Sequence, residues 1–178
     1  MTTARRAPAA RRAGVFAGAA MLAGMSESLH HPIRMIDVGD KPITVRTARA
    51  TGRLVVRPET VARVRAGALE KGDAIATARL AGIMAAKRTS EIVPLCHPLP
   101  LDSVAVSVDA SAEDHIAIEA TVRATARTGV EMEALVAVTA AALAIYDMAK
   151  SLDPGMTVEQ IQLEEKTGGV RGDYRRTP

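Results

Sequence analysis

Hydrophobic and polar residues alternate along two neighbouring segments in the middle of the chain. The runs S-V-A-V-S-V-D-A from Ser103 and H-I-A-I-E-A-T-V-R-A-T from His115 both change character at every second residue. This period of two is typical of half-buried β-strands. The short polar linker A-S-A-E-D between them predicts that the two strands form an antiparallel hairpin.

Two further extended segments flank this region at a distance. Residues 43–57 contain β-branched side chains with some alternation, and they predict a strand most firmly over residues 53–57. Residues 156–166, M-T-V-E-Q-I-Q-L-E-E-K, predict a last strand before a Gly-rich tail. The chain therefore has four predicted strands.

Helical periodicity replaces alternation between the predicted strand at residues 43–57 and the one that starts at Ser103. Pro58 opens a first helix, because its missing N–H costs nothing at the first helical position. Asp73 can cap a second helix over residues 74–89. The second helix has a predicted close-packing face of small and apolar residues, namely Ile75, Ala78, Ala81, Gly82 and Ala85.

A third helix is long and rich in Ala and Leu. It is predicted over residues 133–150, and the D-P-G sequence at 153–155 ends it. The order strand, helices, strand, strand, helix, strand matches the ferredoxin-like β-α-β-β-α-β arrangement. We therefore expect an α+β sandwich with an antiparallel sheet and helices on one face. The other face would be open, so we also expect oligomerisation through it.

Composition and charge narrow the classes of function. The 178 residues include one Phe, two Tyr and no Trp, which argues against a base-stacking platform for RNA or single-stranded DNA. The net charge is +3, but residues 1–25 carry four arginines and no acid, and the remaining chain carries −1. The basic character belongs to the N-terminal tail, so a nucleic-acid partner is not expected.

Residues 1–30 are expected to be an extension outside the folded part, and residues 31–178 a single catalytic domain. The extension has three interpretations: a disordered segment with Met25 as the true start, a transit peptide, or, least favoured, a secretory signal. Its apolar run over residues 15–23 is too short to span a bilayer, so no membrane partner is expected. A single cysteine fits a reducing compartment.

The only cysteine lies beside a histidine in the loop P-L-C-H-P. A zinc site would need more ligands than Cys96 and His97, and the other histidines are scattered, so no metal site is predicted. A sequence-adjacent histidine is no indication that Cys96 is a nucleophile, and an inert buried cysteine is the commoner case. His97, held in a loop stiffened by prolines, is a candidate for binding or proton transfer.

Other polar groups occur where packing does not require them. Lys71 lies in the E-K-G-D turn between two helices and is either a solvated turn lysine or a functional group. Glu131 and Glu133 in G-V-E-M-E either favour the start of a helix electrostatically or bind a ligand. Asp147 and Lys150 share one helix face and form either a surface ion pair or a catalytic pair.

Five blocks together resemble a known family: K-G-D-x-x-x-T-A-R-x-A-G-I-x-A-A-K-R-T, P-L-C-H-P-L, T-G-V-E-M-E-A-L, I-Y-D-M-x-K and K-x-G-G-x-x-G-D. In order and spacing, from Met35 to Tyr174, they are similar to the cyclic pyranopterin monophosphate synthase (MoaC-type) family of molybdenum-cofactor biosynthesis. One departure is Val170-Arg171, where the family often has Lys-Ser after the glycine pair. Arg171 can supply the missing charge.

The resemblance implies a lyase with a defined substrate. This family converts (8S)-3′,8-cyclo-7,8-dihydroguanosine 5′-triphosphate to cyclic pyranopterin monophosphate and diphosphate. The implied catalytic residues are Lys71, Asp147 and Lys150, because ring opening and reclosure need acids and bases of matched pKa. The implied substrate-binding residues are Arg46, Leu95, Cys96, His97, Glu131, Met132, Glu133 and Lys166.

The resemblance also implies an assembly and a location. The expected form is a homo-hexamer, a trimer of dimers, with sites at subunit interfaces and a small-molecule substrate. No cofactor is required, although Mg²⁺ can accompany the triphosphate, and the expected location is cytoplasmic, with organellar targeting left open. The alternative is a non-catalytic ferredoxin-like ligand-binding or regulatory module. That module would not need Lys71, Asp147 and Lys150 together.

Overall fold

An antiparallel sheet forms one layer of the molecule, seen in a computed structural model that describes residues 32–177. Its strands are β1 (Thr44–Val55), β2 (Leu101–Asp109), β3 (His115–Ala126), β4 (Thr157–Thr167) and β5 (Tyr174–Arg175). The spatial order is β2-β3-β1-β4-β5. Every neighbouring pair is antiparallel.

The helices form a second layer on one face of the sheet. They are α1 (Pro58–Arg65), α2 (Ala74–Ala86), α3 (Thr89–Ile92) and α4 (Glu131–Ala149). α4 packs across β1, β3 and β4, and α2 packs against α4 and β2. The predicted α+β class and the ferredoxin-like β-α-β-β-α-β order are therefore confirmed, with the two-residue strand β5 added at one edge.

Small residues set the distance between these layers. On α2 the buried positions recur every four residues, at Ala74, Ala78, Gly82 and Ala86. A Cβ at Gly82 would lie only 2.9 Å from the main-chain oxygen of Ala137 on α4. The predicted close-packing face is therefore right at its centre, but Ala81 and Ala85 lie at its edge and are half-exposed.

The sheet face opposite the helices is polar. Arg49 forms an ion pair with Glu119 at 2.9 Å, and Arg53 donates to Glu159 at 2.6 Å. Alternation along β1 places these side chains outward while Ala48, Ala50 and Leu54 are buried under α4. An antiparallel sheet can have one polar face in contact with water. The composition of this face therefore gives no reason for a second chain to cover it.

Several element boundaries differ from those predicted. β1 is shorter than residues 43–57, and α4 begins at Glu131 instead of residue 133. The short elements α3 and β5 were not predicted, because four and two residues carry too little periodicity to reveal them. The N-terminal extension expected over residues 1–30 lies outside the described residues.

By length and composition alone, α4 could cross a membrane. However, half of its apolar window is buried in the fold, including Ala137, Val138 and Ile145. A helix that is apolar nearly all round and packed on a sheet is the pattern of a core helix. Packing on the sheet therefore explains the apolar residues on the buried side of α4.

Candidate active site

Lys71, Asp147 and Lys150 come together and are called the Lys–Asp–Lys cluster below. Lys71 precedes α2, whose start is fixed by Asp73 accepting from the N–H of Ala76 at 3.0 Å. Asp147 and Lys150 lie at the last turn of α4. The two carboxylate oxygens of Asp147 are 2.7 Å from Lys71 Nζ and 2.8 Å from Lys150 Nζ.

Asp147 and Lys150 shift each other's pKa in this cluster. Hydrogen bonds from Lys150 and Lys71, with their positive charge, lower the pKa of Asp147 to about 2. The hydrogen bond to Asp147 in turn raises the pKa of Lys150 above its usual value. The shifts of Asp147 and Lys150 are both directed away from neutrality. All three side chains are about half exposed, so one chain alone does not exclude water from them.

A second polar site lies at the opposite end of α4, between the β3–α4 loop and the Gly-rich tail. It is a cavity of about 100 Å³, called the basic cavity below. Its charged lining consists of five cations, Lys41, Arg46, Arg127, Lys166 and Arg171, and one carboxylate, Glu131. Such a surplus of positive charge attracts an anion.

Arg46 holds the walls of the basic cavity together. Arg46 is 8% exposed, and its guanidinium donates to the main-chain oxygens of Ala126, Arg127 and Gly168 at 3.3 to 3.4 Å. Gly168 and Gly169 have φ of 88° and 92°, and a Cβ on Gly169 would overlap the Arg46 guanidinium. The glycine pair of K-x-G-G is therefore needed for this close approach.

Two carboxyl groups begin α4 and have different surroundings. Glu131 faces the basic cavity and pairs with Lys166 at 3.0 Å. Glu133 points into the protein and is 2% exposed. Its Oε1 accepts from the Cys96 thiol at 3.6 Å, and its Oε2 has no hydrogen-bond partner among residues 32–177. Burial raises the pKa of Glu133, despite the hydrogen bonds that lower it.

The chemistry of Cys96 follows from this contact. Burial and the neighbouring charge of Glu133 raise the pKa of the Cys96 thiol to about 11. The thiolate is the nucleophilic form of cysteine, so this side chain is unreactive at neutral pH. The Cys96 thiol in the P-L-C-H-P loop is therefore a hydrogen-bond donor to Glu133, and a role as a nucleophile is disfavoured.

His97 lines an apolar groove of about 420 Å³ beside the basic cavity. The groove and the cavity share Arg127 and Thr128 in their walls. Leu95 and Met132 expose 46% and 38% of their surface near this end of α4. Both are therefore accessible to a ligand or to a second chain.

The site residues predicted from the sequence thus form two groups. One is the Lys–Asp–Lys cluster, and the other surrounds the start of α4 and comprises Arg46, Leu95, Cys96, His97, Glu131, Met132, Glu133 and Lys166. Asp147 follows Glu131 by sixteen positions in one helix. At about 1.5 Å per residue the two groups are roughly 24 Å apart.

Sequence reasoning missed two members of the basic cavity, Lys41 and Arg127. Arg127 immediately precedes the T-G-V-E-M-E block, and Lys41 lies five positions before Arg46. Proximity to recognised motifs was the signal that could have found them. Their shared cavity depends on β1 pairing with β3, which the sequence does not display residue by residue.

Fold and site together define an α+β protein of the ferredoxin-like class with a strongly cationic, carboxylate-containing site. The model of the MoaC family matches residues 35–169, which is most of the chain. The chain belongs to the MoaC family.

Curated relatives agree with this membership. The cyclic pyranopterin monophosphate synthase of Thermomicrobium roseum is 58% identical over 144 residues, covering 80% of this chain and 87% of that protein. The corresponding protein of Herpetosiphon aurantiacus is 56% identical over 142 residues, covering 79% and 87%. Cyclic pyranopterin monophosphate synthase 3 of Mycobacterium tuberculosis is 54% identical over 143 residues, covering 80% and 81%.

Proposed function

We propose that this chain is a cyclic pyranopterin monophosphate synthase, a lyase of molybdenum-cofactor biosynthesis. Its substrate is then the cyclised GTP derivative (8S)-3′,8-cyclo-7,8-dihydroguanosine 5′-triphosphate, and its products are cyclic pyranopterin monophosphate and diphosphate. Family membership and relatives at 54–58% identity support this assignment.

The chemical groups at the two ends of α4 suit such a substrate. A triphosphate needs fixed positive charge, which the basic cavity supplies through side chains. A guanine-like ring offers N–H and C=O groups, and the unpaired Oε2 of Glu133 is a buried partner for one of them. We assign no metal ligand among the site residues, and Mg²⁺ would come with the triphosphate.

The observation that supports the proposal most directly is the distance along α4 between the Lys–Asp–Lys cluster and the site residues around the start of the helix. An acid or base must lie within about 3 Å of the proton that it transfers. Groups roughly 24 Å apart cannot act on the same reacting atoms within one chain. We therefore propose that the Lys–Asp–Lys cluster of one copy completes the site around the basic cavity of another.

The exposed stripe of α4 supports this arrangement. Between its two ends the stripe is apolar, with Met132 and Leu143 exposed and Val136 half-buried, and Leu80 and Met84 of α2 are exposed as well. Two copies packed antiparallel along α4 would bury these residues. A two-fold axis would then complete two equivalent sites, which fits a hexamer built as a trimer of dimers.

Turnover is the test of the function. Purified full-length protein is given the cyclised GTP derivative, and diphosphate release and pterin formation are followed together. The expected result is release of one diphosphate for each pterin formed. A folded oligomer that binds the substrate but releases no diphosphate would instead be the non-catalytic binding module.

A further inference from the structure

A buried carboxylate follows the Lys–Asp–Lys cluster by three positions. Asp153 is 4% exposed and lies in the loop after α4, where its main-chain N–H donates to the main-chain oxygen of Ala149 at 2.9 Å. The loop therefore continues directly from the last turn of the helix, next to Lys150. Burying a charge is costly unless it is paired, so the partners of Asp153 indicate what the charge does.

Three contacts of Asp153 come from the start of α1. Its Oδ2 accepts from the main-chain N–H of Arg57 at 2.8 Å and from the Thr60 hydroxyl at 3.1 Å, and its Oδ1 lies 3.3 Å from Arg57 Nε. Arg57 also donates to the main-chain oxygen of Leu152. Burial by itself would raise the pKa of Asp153, but these hydrogen bonds and the Arg57 charge lower it. Asp153 is therefore a charged link between the end of α4 and the start of α1.

This link joins the same two chain segments that form the cluster. α1 leads into α2 through the turn at residues 66–73, and this turn carries Lys71. Lys71 donates to the main-chain oxygen of Asp147 at 3.0 Å and to its carboxylate at 2.7 Å. Residues 57–71 and residues 147–153 are thus connected twice, once at Asp153 and once at Asp147.

The two connections differ in their exposure to water. The side chains of Lys71, Asp147 and Lys150 are about half exposed, and ion pairs between exposed side chains are weak because water screens them. Asp153 and Thr60 are 4% and 0% exposed, and hydrogen bonds to an ionised group are among the strong ones. The buried connection is therefore the one that fixes the position of the two segments relative to each other.

We propose that Asp153 is a positioning residue, which holds the end of α4 on the start of α1 so that Lys71 and Lys150 meet Asp147 in the geometry for proton transfer. This inference rests on the proposed function, and Asp153 lies outside the predicted catalytic and binding sets. A displacement of about 1 Å can cost about 10²-fold in rate. The basic cavity lies roughly 24 Å away along α4, so substrate binding there depends far less on this link.

Two variants of the full chain weaken the link to different extents. Asp153→Asn removes the charge, whereas Thr60→Val removes one donor and keeps the carboxylate. Thr60→Ser keeps the hydroxyl and is the conservative control, and Ile118→Val, in the core on β3, is the control for lost stability. Steady-state kinetics should show kcat about tenfold lower or more in Asp153→Asn and less reduced in Thr60→Val, with KM nearly unchanged.

A second measurement does not depend on turnover. The hydrogen bond to Asp147 raises the pKa of Lys150, so less of its free amine is available to an acylating reagent. Mass spectrometry compares the rate at which acetic anhydride labels Lys150 with the rate for Lys87, which is exposed at the end of α2. Asp153→Asn should raise the relative rate of Lys150 by about twofold or more, because a weaker contact with Asp147 returns the pKa towards its usual value. Asp147→Asn is the positive control.

The outcomes separate this inference from the function itself. Lower kcat with faster Lys150 labelling in Asp153→Asn and Thr60→Val, and both controls near wild type, would support it. Unchanged labelling in a folded Asp153→Asn would overturn it, as would an equal loss of kcat in Ile118→Val. If Asp153→Asn does not fold, Thr60→Val decides by the same two measurements. An inactive wild type whose Lys150 labelling still responds to Asp153 would overturn the synthase function and keep the link.

Discussion

At the scale of single residues, Glu133 has the most informative surroundings. A carboxyl oxygen buried without a hydrogen-bond partner is rare and costs about 1–3 kcal/mol or more. No cation pairs with Glu133 in the described part of the chain, so burial favours its protonated form. A protonated carboxyl can donate as well as accept, which suits the mixed donor and acceptor edge of a purine-like ring.

The Cys96 thiol is expected to tune this carboxyl group. Its hydrogen bond lowers the pKa of Glu133, so Cys96→Ala should raise that pKa further, whereas Cys96→Ser, with a stronger donor, should lower it. The infrared C=O band of the protonated carboxyl, followed against pH, measures the change, and Glu133→Gln identifies the band. An unmoved titration in both Cys96 variants would contradict the coupling.

The same raised pKa has a defined effect on stability. The folded chain holds the Glu133 proton more tightly than the unfolded chain, because burial penalises the charged form. This group therefore favours folding at low pH, and the contribution is lost as pH rises through the raised pKa. The sign is opposite to that of an ion-paired carboxylate such as Asp147.

Asp147 is expected to be essential for turnover and dispensable for assembly. Asp147→Asn removes the charge that holds Lys71 and Lys150, and the pKa of Lys150 should fall towards its usual value. Losing an acid–base group typically costs about 10²–10⁴-fold in rate. Steady-state kinetics with size-exclusion chromatography checks both parts.

Asp114→Asn is the matched control for this variant. Asp114 is also an exposed carboxylate with a lowered pKa, which it owes to His115. It lies at the β2–β3 turn, outside the site residues. Full activity of Asp147→Asn would show that Asp147 is not a catalytic residue. An equal loss of activity in Asp114→Asn would show the same.

At the scale of secondary-structure elements, the contact between α2 and α4 positions the Lys–Asp–Lys cluster. Lys71 reaches Asp147 from the start of α2, while Asp147 lies near the end of α4. The distance between the helices is set where Gly82 meets the Ala137 main chain. Packing in the middle of α2 therefore controls a polar contact at its end.

Gly82→Ala tests this dependence. The added methyl would meet Ala137 O at 2.9 Å and Val106 Cγ2 at 3.1 Å, and overpacking costs about 1–3 kcal/mol. The higher helix propensity of alanine offsets about 1 kcal/mol of this cost. We therefore expect the free energy of unfolding to fall by about 1 kcal/mol, and by more with Gly82→Val. Urea unfolding measures it, with exposed Arg79→Ala as the control. An unchanged midpoint for Gly82→Val would contradict the close approach.

Periodicity was enough to predict the long elements but not the short ones. The alternation from Ser103 and His115 correctly gave the β2–β3 hairpin, because each strand buries one face. The early start of α4 at Glu131 was missed because two acids separated by a methionine fit a strand or a helix equally well. With four and two residues, α3 and β5 each cover only about one period of their pattern, which is too short to be recognised.

The two groupings of the site residues required the fold. Asp147 and Lys150 were paired from their spacing alone, but the contact of Lys71 with Asp147 depends on how α2 packs on α4. Likewise, the inward direction of Glu133 and the outward direction of Glu131 follow from the rotation of α4 on the sheet. Sequence motifs identified the chemical groups, and tertiary packing decided their partners.

At the scale of the whole molecule, the sheet face opposite the helices is polar, and the interface proposed above uses the apolar stripe of α4 instead. On the sheet face, Arg49 and Arg53 form ion pairs with acidic side chains. The apolar stripe of α4, in contrast, runs between the two halves of the proposed site. An interface along this stripe would both bury apolar area and assemble the catalytic groups.

Complementation between inactive variants tests such a shared site. Asp147→Asn disables the Lys–Asp–Lys cluster, and Lys166→Gln disables the basic cavity, so each variant alone should be inactive. When the two are co-expressed and mix at random, half of the dimers are mixed, and each mixed dimer has one intact site. Activity should therefore recover to about one quarter of the wild-type level. If both halves of the site belonged to the same chain, co-expression would restore no activity, because no chain would carry both intact groups.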